Sequence, residues 1–309
     1  MSCLLCELCS VERSLFGGFG YRGRTYYRMR CAGCGFIFVD PTPDRETFEA
    51  MYGDDYFSEY YGGGQDLGYE QGLEAGLRAS AAILDRVRPY APTGHLLDVG
   101  CAGGHFLIAA RERGYNCLGV ELNPKMAERA RRSFGLDVLD GSFEEVVVGR
   151  LGHGFDVVYM GDALEHLPDP VGALRRVRGL LTPQGVFILN GPLTLNRSLY
   201  TACLRLKLAL GKGHSEWYVD EPPYHLWEFN ADTMRRFLVG NGFKILEITT
   251  SEEAARPAGL LARALRRPLT FRERTARFLK NGSAWCTNRL LARFGFGDRV
   301  LALARAVRP

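Results

Sequence analysis

No stretch of this 309-residue chain approaches the roughly 18 consecutive apolar residues that a transmembrane helix requires. The N-terminus, MSCLLCELCS, lacks the basic segment, the long apolar segment and the small-residue cleavage site of a secretory signal peptide. Internal repeats and low-complexity tracts are missing as well. We therefore expect a cytoplasmic protein whose nine cysteines are reduced thiols or metal ligands rather than disulfides.

The net charge is also small, at +4, and does not by itself favour a nucleic-acid partner. The basic residues are concentrated in residues 251–309, which contain few acidic residues. Such a segment is typical of a solvated helix face. Peripheral contact with an anionic membrane, or packing against a second subunit in a homodimer, are the alternatives.

The composition of the chain changes along its length and predicts three parts. Residues 1–40 form a cysteine- and glycine-rich segment, and residues 41–95 form a helical connecting segment with many aromatic residues. Residues 96–309 form the main domain, with insertions at about 193–224 and 251–296.

Short apolar runs alternate with amphipathic stretches in the main domain. The predicted strands are 95–100, 117–122, 136–140, 155–161, 185–190, 243–249 and 299–305. The predicted helices are 105–113, 124–133, 170–181 and 231–241. This alternation predicts parallel pairing in an α/β sheet covered on both faces, with ligands bound at the carboxyl ends of the strands.

A glycine-rich turn follows the first predicted strand in LLDVGCAGGHFL, residues 96–107. The dinucleotide motif G-x-G-x-x-G fails here, because Ala102 and His105 replace its second and third glycines, and no phosphate loop is present. Asp98 precedes the turn and the segment contains no Lys or Arg, which disfavours a phosphate and suits ammonium and sulfonium groups. Glu121 ends the second predicted strand, where a carboxylate can accept both ribose hydroxyls. The predicted ligand is a cationic nucleoside without phosphate, and S-adenosylmethionine fits that description.

The segments LLDVGCAGGHFL, GVELNP, FDVVYMGDALEHLPDP and LLTPQGVFILNGP follow one another over residues 96–192 and resemble class I S-adenosylmethionine-dependent methyltransferases. The resemblance implies a Rossmann-like, seven-stranded methyltransferase sheet with helices on both faces. It departs from the family at Ala102, where glycine is usual, but alanine is small enough to allow close backbone approach.

The resemblance also implies the cofactor contacts. Those expected around the methionine part are Asp98, Gly100, Ala102, Gly104 and Asp162. Glu121 is expected at the ribose, and the contacts expected beside adenine are Leu122, Ser142 and Phe143. Ser142 also fits a plain turn residue, and Asp162 also fits a turn cap.

The N-terminal cysteines have the spacing of a zinc ribbon, with Cys6-x2-Cys9 and Cys31-x2-Cys34 as the preferred pairs. Cys3 and Cys6 form an alternative first pair. Four thiolates leave no open coordination position, so the expected Zn²⁺ is structural rather than catalytic. Ordinary reduced cysteines are the alternative.

The run CGFIFVDPTPDRETFEAMYGDDYF, after the second cysteine pair, resembles a methyltransferase branch with an N-terminal zinc ribbon. That resemblance implies a sugar or another small metabolite as the acceptor. Tyr52 belongs to an aromatic cluster that either closes over the cofactor or forms a seam between the ribbon and the core.

Methyl transfer to a hydroxyl needs a general base, and histidine is the first candidate because its ordinary pKa is about 6.5. Of six histidines, His166 and His225 follow strand ends on the edge of the sheet where ligands are expected. We predict one of these two as the catalytic residue. Residues 193–224 form either a wall for the substrate or a packed lid helix.

The sequence therefore predicts a methyltransferase for a small-molecule acceptor, with O-methylation of a sugar-like or secondary metabolite favoured and C- or N-methylation open. The alternatives are a nucleic-acid methyltransferase and a non-catalytic scaffold. A nucleic-acid substrate is disfavoured, because Gly161-Asp162-Ala163-Leu164 stands where base-methylating enzymes usually carry an N/D-P-P-[YF] tetrapeptide.

Overall fold

The computed structural model describes residues 3–5, 11–52, 67–144, 146, 154–194, 196, 224–251 and 294–308. These residues form two sheets with flanking helices. No helix in these ranges is long and apolar enough to cross a membrane.

The smaller sheet is N-terminal and has four antiparallel strands. Three of them follow one another in the chain, namely β1 (Val11–Tyr21), β2 (Arg24–Cys31) and β3 (Ile37–Asp40). The fourth, β9 (Trp227–Glu228), comes from far along the sequence and pairs with β3. Because β9 directly follows the predicted insertion, the small sheet is completed by a segment of the main domain.

The larger sheet has seven strands. Their bounds are β4 (Gly94–Val99), β5 (Tyr115–Glu121), β6 (Val138–Asp140), β7 (Phe155–Gly161), β8 (Leu181–Pro192), β10 (Phe243–Ser251) and β11 (Arg299–Ala306). Their order across the sheet is β10-β11-β8-β7-β4-β5-β6. The helices of the described residues are α1 (Arg45–Met51), α2 (Leu67–Val87), α3 (His105–Arg111), α4 (Pro124–Phe134), α5 (Pro170–Leu180) and α6 (Ala231–Gly240). The predicted α/β fold with a seven-stranded sheet is confirmed.

One feature of the predicted sheet is wrong, because its pairing is not parallel throughout. β4 to β8 pair in parallel, whereas β11 runs antiparallel to both β8 and β10. A parallel neighbour needs a crossover connection, usually a helix, but an antiparallel neighbour does not. β11 can therefore fill the position between β8 and β10 without a covering helix of its own.

The apolar residues of β4 divide between the two faces of the sheet. Leu97 and Val99 belong to one buried cluster, while Leu96 belongs to another with Leu107 of α3. Complete burial of each such side chain contributes about 1.5–3 kcal/mol. This packing fixes the carboxyl end of β4, from which the functional site is built.

Candidate cofactor and acceptor site

A cavity of about 600 Å³ opens at the carboxyl ends of β4, β7 and β8 and is partly covered by α2. Its volume is ordinary for small-molecule sites, which range from about 300 to 1,000 Å³. Among the predicted site residues it is lined by Asp98, Gly100, Ala102, Asp162, His166 and His225. The structure thus brings predicted cofactor contacts and both candidate bases to one cavity.

The glycine-rich turn owes its shape to left-handed backbone conformations. Gly100, Ala102 and Gly104 have φ angles of 76°, 45° and 87°. A Cβ on Gly104 would lie 2.3 Å from Leu136 Cδ1, so close packing as well as backbone conformation requires glycine there. Ala102 adopts its conformation at a cost of about 1–2 kcal/mol. Strain of this kind concentrates at ligand-binding turns.

Glu121 joins this turn to the start of α4. Its Oε2 accepts a hydrogen bond from the Ala102 N–H at 2.8 Å, and its Oε1 accepts one from the Asn123 N–H at 2.8 Å. Burial raises the pKa of the Glu121 carboxyl, and these hydrogen bonds oppose the rise. The carboxylate is therefore held at the end of β5, where it was predicted to contact a ribose.

Asp98 is also buried, with 2% of its surface exposed. Burial raises the pKa of its carboxyl well above the ordinary value, and the charge of Glu121 raises it further. A cationic ligand would oppose this rise, because an opposite charge favours the ionised carboxylate. The chemistry of the cavity therefore fits the amino and sulfonium groups of S-adenosylmethionine.

Five of the predicted cofactor contacts do not line the cavity. Glu121 lies at the end of β5, Phe143 packs in the apolar core, Leu122 and Ser142 are half-buried, and Gly104 lies against Leu136. The roles of these five residues toward the cofactor remain predictions.

Asp162 has a left-handed backbone, with φ of 50°, and forms an ion pair at the rim of the cavity. Its two carboxylate oxygens accept hydrogen bonds of 2.6 and 2.7 Å from Nη2 of Arg299, in β11. Arg299 also lines the cavity. The sequence did not indicate Arg299, because it lies in a basic segment interpreted as surface.

His166 lines the cavity, and two oxygens hold its ring. Its Nδ1 lies 2.7 Å from the backbone carbonyl oxygen of Tyr224 and 2.7 Å from the hydroxyl of Tyr52. Since a carbonyl can only accept, Nδ1 carries the proton and donates it. In the neutral ring Nε2 then keeps a lone pair, which is the form that a general base needs.

His225 lies beside His166, with ring centroids 4.8 Å apart and ring planes at 68°. Burial, together with the positive charges of His166, Arg28 and Arg299, lowers the pKa of His225 to about 3. His225 is therefore a neutral imidazole at physiological pH and a weaker base than an ordinary histidine.

Glu165 is a site residue that the sequence did not indicate. It is 5% exposed, and its Oε1 has no hydrogen-bond partner in the described part of the chain. That atom lies 3.9 Å from Nε2 of His166, and burial raises the pKa of the carboxyl. In the sequence, the one signal that could have indicated Glu165 is its position immediately before the candidate base His166.

Three cysteine sulfurs cluster at the turn between β2 and β3. Sγ atoms of Cys3, Cys31 and Cys34 lie within 4.8 Å of one another, and those of Cys3 and Cys34 are 3.5 Å apart. Tetrahedral Zn²⁺ with Zn–S bonds of about 2.3 Å places its sulfur ligands about 3.8 Å apart, so the three thiols fit such a site. Cys6 and Cys9 lie outside the described residues. The cluster favours the alternative first pair, which begins at Cys3, over the preferred pair Cys6/Cys9.

The two insertions fall almost entirely outside the described residues. The predicted wall or lid at 193–224 and the surface formed by 251–296 therefore remain predictions. The same holds for the division of the chain into domains.

A family profile described as "Methyltransferase domain" matches residues 74–248. The ubiquinone biosynthesis O-methyltransferase of Xanthomonas campestris pv. campestris strain B100 is 34% identical over 112 residues, which are 35% of this chain and 45% of that protein. The chain thus spans about half the length of the curated relatives it matches.

Two solved structures show the same fold. Magnesium protoporphyrin IX methyltransferase from Synechocystis PCC 6803 with bound SAH has a TM-score of 0.51 and 16% identity, covering 85% of this chain and all (100%) of that one. A chain from the complex of the Haloferax volcanii Trm112 methyltransferase activator with a methyltransferase has a TM-score of 0.54 and 16% identity. That match covers 84% of this chain and 98% of the other.

Proposed function

Because this chain belongs to the methyltransferase-domain family, we propose that it uses S-adenosylmethionine to methylate an oxygen atom of a small sugar-like or secondary metabolite. The observation that carries the proposal is the position of His166, with its Nδ1 held by the Tyr224 carbonyl oxygen, in the cavity that the buried Asp98 also lines. The curated relatives named as O-methyltransferases support oxygen as the acceptor atom.

The residues of the chain divide into two groups in this proposal. Asp98 and Glu121 hold the cofactor through its cationic groups and its ribose. His166 and His225, which line the same cavity as Asp98, face the acceptor. When bound, S-adenosylmethionine supplies an electrophilic methyl group on a sulfonium leaving group. The protein mainly holds the acceptor oxygen in line with that methyl group.

His166 takes the acceptor's hydroxyl proton on Nε2 as the oxygen becomes a nucleophile. The Tyr224 carbonyl and the Tyr52 hydroxyl keep the ring in the required tautomer and orientation. His225, neutral beside it, offers a hydrogen bond to the acceptor. Both histidines were predicted as candidates, and the low pKa of His225 favours His166 as the base.

The proposal predicts transfer of labelled methyl groups to hydroxyl acceptors. The purified protein is incubated with methyl-tritiated S-adenosylmethionine and separate panels of sugars, phenols, amines, RNA and DNA. We expect label on a hydroxyl of a small molecule, identified by mass spectrometry. Label on a nucleic-acid base, with strong inhibition by salt, would replace this proposal with the nucleic-acid alternative.

We also propose that Cys3, Cys6, Cys31 and Cys34 bind one structural Zn²⁺. Three of these sulfurs cluster, and Cys6 stands at the knuckle spacing from Cys3. We expect about one zinc per chain, as required by four protein ligands. Cys34→Ser should lower the zinc content and the melting temperature, whereas Cys9→Ser should change neither. Loss of zinc in Cys9→Ser would restore the pairing of Cys6 with Cys9.

A further inference from the structure

A short strap, residues 224–228, joins the cavity to the small sheet. Tyr224 and His225 line the cavity, and β9 follows immediately and pairs with β3. One end of the strap is therefore a wall of the acceptor site, and its other end is a strand of the N-terminal sheet.

The strap is fixed on both sides by hydrogen bonds. Its Leu226 N–H donates to the Glu165 carbonyl oxygen at 2.8 Å, and the Val39 N–H donates to the Leu226 carbonyl oxygen at 2.9 Å. Nε1 of Trp227 donates to the Leu167 carbonyl oxygen at 2.7 Å. The backbone next to His225 thus depends on β3 as much as on the segment that carries His166.

An ion pair adds to this connection at the end of the strap. Nε of Arg28, in β2, lies 2.6 Å from Oε1 of Glu228, and the two side chains are only 3% and 4% exposed. Burying two charges carries a desolvation cost that often cancels their attraction, so such a pair is weak evidence of a stabilising role. In some proteins a buried polar or ionic pair instead specifies one arrangement of the chain.

We propose that Arg28 and Glu228 are positioning residues for His225, so that the N-terminal sheet holds the His225 ring against His166 in the acceptor site. This inference rests on the proposed function, because it takes His225 to be part of that site. Neither residue touches the reacting atoms, and both act through the strap.

The charge of Arg28 connects the proposal to a measurable quantity, the pKa of His225. The charged and titratable groups facing His225 are His166, Arg28, Arg299 and, in the same cluster, Glu165. After burial and His166, the charge of Arg28 contributes to lowering the pKa of His225. Removing this charge raises that pKa, so His225 becomes protonated at a higher pH than in the native protein. Below this higher pKa the protonated His225 disfavours proton uptake by the neighbouring His166, so kcat/KM should begin to fall at a higher pH than in the native protein.

The first test is Arg28→Met, compared with the native protein. We expect kcat to fall roughly 10- to 100-fold, as displacement of positioned groups by about 1 Å does, with no change in Kd for S-adenosylmethionine. The His225 titration, followed by NMR of histidine-labelled protein, should move to higher pH. Arg24→Met is the matched control, because Arg24 lies on the same strand in a pair with Asp44 that is exposed at 57% and 48%.

Two further variants separate positioning from folding. Arg28→Met/Glu228→Leu replaces the buried pair with apolar groups, a change that is often tolerated. It should fold and regain part of kcat, but it should retain the shifted His225 titration. Arg28→Lys keeps the charge and should restore the native pH profile.

The possible failures are distinguishable. Native kcat, pH profile and His225 titration in the double variant would overturn the positioning role and leave the proposed function intact. A shifted His225 titration with native turnover would remove His225 from methyl transfer, and would overturn the inference together with that part of the proposed function.

Discussion

Replacing Glu121 with alanine is expected to raise Kd for S-adenosylmethionine at least about 30-fold, because loss of one partner from a buried, charged hydrogen-bonded contact costs roughly 2–5 kcal/mol. The variant also leaves the Ala102 and Asn123 N–H groups without the oxygens that they bind now. The substitution therefore removes the hydrogen bonds that link the glycine-rich turn to the start of α4. It also removes the predicted contact with the ribose.

Calorimetric titration with S-adenosylmethionine and with S-adenosylhomocysteine checks this prediction. Glu128→Ala is the matched control, since Glu128 lies on α4 and pairs at the surface with Arg131 and Arg132. Circular dichroism of each variant establishes that it is folded. A folded Glu121→Ala protein with native affinity would remove Glu121 from the cofactor site.

Replacing His166 with asparagine is expected to lower kcat roughly 10²- to 10⁴-fold, the usual contribution of a general base. The asparagine amide can still donate to the Tyr224 carbonyl, but it has no nitrogen lone pair that accepts a proton. Because Asp98 and Glu121 are untouched, Kd for S-adenosylmethionine should not change. The loss therefore belongs to the transfer step.

Single-turnover kinetics measure the rate of methyl transfer, and calorimetry measures Kd for S-adenosylmethionine, so the two together show which of these the substitution changes. His95→Asn is the control, because His95 lies at the amino end of β4, at the edge opposite the cavity. If His166→Asn turns over normally and His225→Asn does not, the roles of the two histidines are reversed. If neither substitution slows transfer, acid–base catalysis by this pair is refuted.

Local sequence patterns accounted for most of the larger sheet. Each predicted strand lies within or overlaps an observed strand, because buried parallel strands are short apolar runs and their helices are amphipathic. The start of α4 was readable from Asn123 and Pro124, and the Asn123 side chain accepts hydrogen bonds from two N–H groups of the first turn. Strand direction has no comparable local signal, so the reversal of β11 could not be read from its residues.

The candidate site was partly predictable for the same reason. Asp98, His166 and His225 follow strand ends or their connections, and the topology of an α/β sheet gathers such positions at one edge. Arg299 and Glu228 act through partners far along the chain, Asp162 and Arg28, and no local spacing indicates such pairs. Spacing alone did not decide between Cys3 and Cys9, since both stand at the knuckle spacing from Cys6, and the preference for Cys9 rested on the position of Cys3 near the N-terminus.

The position of β11 has a consequence for how the larger sheet is completed. β10 pairs only with β11 among the described strands, so it joins the sheet only through β11. β8 and β11 are far apart in the chain, and contacts of this kind form slowly. Until β11 pairs with it, β8 presents an unpaired edge, which is a template for aggregation. Because Arg299 lies on β11, its ion pair with Asp162 at the rim of the cavity also depends on this pairing.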